Sequence, residues 1–151
     1  MKCLQRIVMA VCVMILPATV VFAEPARTII ENDVVFAETD GLVAVEAEHF
    51  FEQKMTDVRA WYLFTADQAP EITPDGDPSH VAGASGGAYL EVLPDSRRTH
   101  GDKLVGGQNF VNEPGRMALL SYRVHFQNAG RYYVWARTHS TGTEDNGLHV
   151  G

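Results

Sequence analysis

The sequence predicts an all-β fold, an antiparallel β-sandwich, and three observations predict it. Runs rich in β-branched and aromatic residues alternate apolar and polar positions over strand lengths, most clearly at Ala118–Phe126 and Arg131–Thr138. Glycine- and proline-rich turns separate these runs at short intervals. No heptad pattern or amphipathic helical stretch interrupts them, so helices have nothing to contribute to a core.

Taken in order, residues 24–40 form a lead-in in which Thr28 to Val35 reads equally as a short strand or a linker. The first organising strand is expected at Leu42–Glu48, after the breaker Gly41. Glu52 to Asp57 is polar enough for a turn of helix, and Val58–Phe64 is aromatic and strand-like. An irregular region, Thr65 to Gly87, carries Pro74-Asp75-Gly76-Asp77-Pro78 and Gly83-Ala84-Ser85-Gly86-Gly87. Ala88–Val92 alternates and stops before Pro94, and a second loop runs from Asp95 to Gly115. Ala118–Phe126 and Arg131–Thr138 are then expected to form a hairpin around Asn128-Ala129-Gly130. Asp145-Asn146-Gly147 signals another turn before Leu148–Gly151, an arm with no downstream partner, so the sandwich is expected to continue past the given sequence.

The first 23 of the 151 residues read as a secretory signal. Lys2 and Arg6 precede the apolar run Ile7 to Val21, and Val21-Phe22-Ala23 places small residues at the cleavage positions. Both cysteines, Cys3 and Cys12, lie in that leader, which leaves no thiol or disulfide chemistry after cleavage. Loss of Lys2 and Arg6 takes the formal net charge from −7 to −9, which argues against a nucleic-acid partner. A secreted or periplasmic protein follows, with no membrane attachment once the leader is removed.

Within Leu42–Glu48, Glu46 and Glu48 are two apart and would share one face of a strand. Paired carboxylates suit a hard cation such as calcium, and they equally suit a solvated strand face. Asp75 and Asp77 offer a similar pair inside an ordinary turn. Gly83-Ala84-Ser85-Gly86-Gly87 matches the Gly-x-Ser-x-Gly form of a hydrolase nucleophile elbow. That elbow needs a strand before it and a helix after it, whereas here a loop precedes and a strand follows. The six histidines show no metal-protease spacing, and no pair of carboxylates stands out as acid and base. The aromatic and amide-binding side chains are more informative. A sugar offers a flat apolar face edged with hydroxyls, and Trp61, Tyr62, Tyr133, Trp135 and Arg137 supply rings to stack and a charge to bond.

Five motifs then fall in one order: Val45-Glu46-Ala47-Glu48-His49-Phe50, Ala84-Ser85-Gly86-Gly87-Ala88-Tyr89-Leu90, Leu120-Ser121-Tyr122-Arg123-Val124-His125-Phe126, Ala129-Gly130-Arg131-Tyr132-Tyr133-Val134-Trp135-Ala136-Arg137, and Asp145-Asn146-Gly147-Leu148-His149-Val150-Gly151. Over residues 41–151 this order resembles the galactose-binding-like jelly rolls of carbohydrate-binding modules of families 6 and 35. The closest resemblance is to the C-terminal domain of family 115 glycoside hydrolases, the xylan α-glucuronidases. It implies a structural calcium held in part by Glu46 and Glu48. It also implies a ligand site at the strand ends, which adds Asn109, Glu144, Asp145 and Asn146 to Trp61, Tyr62, Trp135 and Arg137. The catalytic machinery of those enzymes lies in other domains and is not implied. The expected function is therefore a secreted, non-catalytic module that binds a plant or algal polysaccharide. The alternative is a structural or dimerising accessory domain, attached to a hydrolase or self-associated as a homodimer, with no sugar site of its own.

Overall fold

The computed structural model describes residues 33–140 and 147–151. The proposed leader and Glu144, Asp145 and Asn146 lie outside the described residues. Among the described residues the regular structure is almost entirely strand: β1 (Phe36–Ala37), β2 (Glu52–Lys54), β3 (Ala60–Thr65), β4 (Ala88–Leu93), β5 (Leu119–Ser121) and β6 (Val124–His125). The only helical pieces among the described residues are 3₁₀ turns at Val81–Gly83 and Ser85–Gly87. The chain is thus all-β, and no described helix is long and apolar enough to cross a membrane.

The strands pair as three two-stranded ribbons. β3 and β4 are antiparallel, with Ala60 opposite Leu93 and Phe64 opposite Tyr89. β2 and β5 are antiparallel, and β1 and β6 are parallel. β3 is buried on both faces: Ala60, Tyr62 and Phe64 point one way into a cluster with Leu93, and Leu63 is buried on the other. Ile72, Val81 and Tyr89 close over that cluster, and Tyr89 stacks on Phe64 with ring centroids 5.0 Å apart. Cross-strand aromatic pairing of this kind adds to what burial alone contributes.

Side chains join the ribbons where backbone ladders do not. Gln53 of β2 brackets Trp61 of β3, accepting its N–H at 2.7 Å and donating to its carbonyl at 3.2 Å. The Trp61 indole N–H donates in turn to the carbonyl of Ala118, the residue before β5.

Several elements differ from the sequence expectation. Leu42–Glu48 is not a strand. Asp40 and Gly41, both at positive φ, close a tight turn in which Thr39 and Leu42 exchange backbone hydrogen bonds. A second turn follows, where the His49 N–H donates to the Glu46 carbonyl, so no ladder forms between them. Glu52–Lys54 is strand and not helix. The Ala118–Phe126 run splits at Tyr122 and Arg123, so that its first half pairs with β2 and its second with β1. Arg131–Thr138 has no ladder, and the expected hairpin does not close. Its turn is taken by a carboxylate: Glu38, 1 % exposed, accepts the N–H groups of Gln127 and Asn128, the Asn128 side-chain amide and the Tyr132 hydroxyl.

Candidate functional site

The turn at residues 83–87 gathers the candidate groups. Gly86 and Gly87 both sit at positive φ, +62° and +71°, a pair of conformations that side-chain-bearing residues adopt only at a cost. Ser85, just before them, donates its hydroxyl to Glu46 Oε1 at 3.0 Å. A Cβ built on Gly86 would stand 3.8 Å from Glu48 Oε1, so the second carboxylate reaches the same turn. On the other flank, Arg137 Nη2 donates to the Gly83 carbonyl at 3.0 Å. The two glutamates converge here through turn geometry, although the strand that was to align them is absent.

Their environments differ. Glu46 is exposed, whereas Glu48 is 8 % exposed as a residue. Burial and the nearby charge of Glu48 push the Tyr122 hydroxyl up to about 12, while that hydroxyl donates to the Ala47 carbonyl at 2.8 Å. Among the described residues, no group of three or more His, Cys, Asp or Glu side chains is arranged to hold a metal ion. A calcium at the turn would therefore draw on Glu46, Glu48 and backbone carbonyls, a donor set that oxygen-seeking calcium accepts.

The aromatic candidates separate into two kinds. Tyr62 is a core side chain, and Trp61 is half-buried with its indole N–H committed to Ala118. Trp135 is 91 % exposed and Tyr133 is 74 % exposed, on the unpaired stretch 131–140. Asn109 braces its own loop, accepting the Val105 N–H at 2.9 Å and donating to the Lys103 carbonyl at 3.1 Å. The structure thus brings Glu46, Glu48 and Arg137 to one turn, sets Trp135 two residues from Arg137, and leaves Trp61, Tyr62 and Asn109 in structural roles. A separate shallow cleft of about 280 Å³, lined by Met55, Asp57, Val58, Gly107, Arg116 and Met117, contains none of the candidates.

Two charged centres escape the sequence reading. Tyr132 above all, then Asn128 and Gln127, hold the Glu38 carboxyl down at about 2. Burial, reinforced by Asp75, Asp77 and Asp95, pushes the Glu91 carboxyl up to about 7. Arg59 stands beside this second cluster, its Nη2 2.6 Å from the Val92 carbonyl and 3.5 Å from Asp95 Oδ1. The Asp-x-Asp spacing at 75 and 77 was the one visible signal for that cluster. Nothing in the local pattern around Glu38 distinguishes it from a solvated loop residue.

No family model and no solved structure matches the chain. Over 125 residues, 83 % of its length, the chain is 54 % identical to the uncharacterized protein P23 of Formosa agariphila. It spans 30 % of the length of that curated relative.

Proposed function

We propose that the chain is a secreted, non-catalytic carbohydrate-binding module with a galactose-binding-like β-sandwich, which binds a plant or algal polysaccharide and carries a structural calcium. The observation that carries this reading is Trp135, almost fully exposed and two residues from Arg137, whose guanidinium leans on the Gly83 turn. Large aromatic side chains are seldom left so exposed without a surface to meet. A sugar ring would stack on the indole, and an acidic sugar such as glucuronate would pair with the donors of Arg137 that Gly83 does not use. A shallow site of this kind gives affinities on the order of 10⁻⁵ to 10⁻³ M.

Electrophoresis of the chain through gels containing xylan, pectin or uronate-rich algal glycans tests the reading. Retardation is expected on at least one polymer. Trp135→Ala should weaken it roughly tenfold, the equivalent of about 1.4 kcal/mol, without changing the melting temperature. No retardation on any polymer, or release of new reducing ends by the purified chain, would overturn it. For the calcium, the melting temperature should rise on adding the ion, and Glu46→Gln with Glu48→Gln should abolish the rise. If calcium leaves the unsubstituted chain unchanged, the turn at 83–87 holds no calcium.

A second reading, an accessory domain that docks on a hydrolase or on a second copy, is favoured by the run of exposed apolar side chains. Val134 is 68 % exposed, Tyr133 and Trp135 on either side of it in sequence are exposed too, and Val150 is 57 % and Leu148 49 % exposed. Sedimentation of the purified chain separates the two: a monomer retarded by glycan supports the first, and a glycan-blind dimer supports the second.

A further inference from the structure

Residues 131–140 run without a turn or a bend, and among the described residues no backbone–backbone hydrogen bond involves 131–139. Side chains hold the run to the body instead. Tyr132 donates to Glu38 at one end, and Arg137 donates to the Gly83 carbonyl at the other. Between these ties lies Tyr132-Tyr133-Val134-Trp135-Ala136, a strand-forming sequence with no charge, glycine or proline in it.

Sheet edges that stay unpaired are usually blunted by lysine or proline, which stop another strand from adding to them. Neither occurs here, and the two arginines stand only at the ends of the run. In an extended run Tyr133, Trp135 and Arg137 point one way and Val134 and Ala136 the other. All five are exposed. A flat ligand on Trp135 covers one face and leaves the backbone groups as they are. An added strand meets those groups and sets side chains opposite one another on both faces.

The run is complementary to itself. Laid antiparallel on a second copy with Trp135 opposite Trp135, it sets Tyr133 opposite Arg137 and Val134 opposite Ala136. Tyr132 then meets Thr138, and Arg131 meets His139. This register pairs the two indoles, seats each Arg137 guanidinium beside a tyrosine ring, and brings no two arginines together. Centring the pair on Val134 instead sets Arg131 opposite Arg137 twice, a repulsive arrangement. Centring it on Ala136 loses the indole pair.

We propose that residues 131–139 are the interface of a two-fold dimer, pairing antiparallel with the same residues of a second copy about Trp135. The pairing rests on the second reading above for self-association, and supplies the partner and register which that reading leaves open. Glycan binding neither makes nor breaks it.

Sedimentation of the purified chain at up to about 10⁻⁴ M tests association, because so small an interface is weak. A dimer is expected. Val134→Lys puts a charge into the uncharged run at an exposed position, and should return the chain to monomer. Cross-linking tests the register, in a chain carrying Cys3→Ser and Cys12→Ser so that no other thiol competes. Under air oxidation a mixture of Val134→Cys and Ala136→Cys variants should form a disulfide-linked mixed dimer, because opposite residues of an antiparallel pair have Cα atoms about 4.5–5.5 Å apart. Either variant alone should not. Its two thiols would be offset by two positions, about 7 Å along the strand before the spacing between strands is added. A chain that stays monomeric over this range overturns the pairing and self-association together. A dimer that survives Val134→Lys, or single variants that cross-link as well as the mixture, overturns the pairing and leaves the second reading standing.

Discussion

Glu38 receives its four hydrogen bonds from residues 89 to 94 positions further along the chain, so one carboxylate pins the path after β6 to the end of β1. Those donors favour the charged form and hold it down at about 2, against an ordinary value of 4.5. A carboxyl whose folded value is depressed contributes stability in full above its unfolded value and loses it as pH falls through the folded one. Acid unfolding should therefore steepen between about pH 4.5 and about pH 2, and Glu38→Gln should flatten that slope and lower the melting temperature at neutral pH. An unchanged acid limb in the variant would show that the anchor is dispensable. Glu91 runs the other way. Its folded value, raised to about 7, means that charging it opposes folding, with no penalty below about 4.5 and a growing one as pH rises through about 7. Glu91→Gln should raise the melting temperature at pH 8 and leave it unchanged at pH 4; a loss at pH 8 would mean that the charged form is held by partners after all.

The turn at 83–87 is where local geometry becomes a site, and its glycines are the parts that cannot be exchanged. Alanine at Gly86 meets no close neighbour, yet φ +62° costs a side-chain-bearing residue about 1–2 kcal/mol. Gly86→Ala should lower stability by roughly that amount and weaken any calcium response, because Ser85 and both glutamates depend on the turn. Full stability in the variant would argue against this conformation. The same region shows what patterning reveals. β3 and β4 are legible in Val58–Phe64 and Ala88–Val92 because their apolar residues have a facing partner and a shared core. Leu42–Glu48 and Arg131–Thr138 carry equally strong strand patterns without forming strands. Periodicity states how a segment would bury its side chains, not whether a free edge is there to pair with it. The Glu46 and Glu48 pair was legible as chemistry. Its meeting with Ser85 and Arg137 was not, since turns bring those residues together across 39 and 54 positions.

Three two-stranded ribbons, each too small to be stable alone, have to stand as one body through the contacts between them. Two kinds of contact do this, and they fail differently. Leu93, fully buried, sits in the cluster that β3 and β4 share, so Leu93→Ala should cost about 2–5 kcal/mol and loosen that ribbon and everything resting on it. Gln53 acts between ribbons. Its amide replaces a missing ladder by bonding both the N–H and the carbonyl of Trp61. Gln53→Ala leaves both groups of a half-buried strand residue unmet, at about 1–3 kcal/mol. The loss should fall first on the β2–β5 ribbon, where hydrogen exchange should quicken, while β3 and β4 keep their protection because their own ladder and cluster are intact. Hydrogen exchange on the two variants checks this: Leu93→Ala should quicken both ribbons together, and Gln53→Ala should quicken β2–β5 alone. If Gln53→Ala also quickens β3 and β4 to the same extent, the ribbons unfold as a single unit, and the side-chain bridge is one contact among many rather than the joint between them.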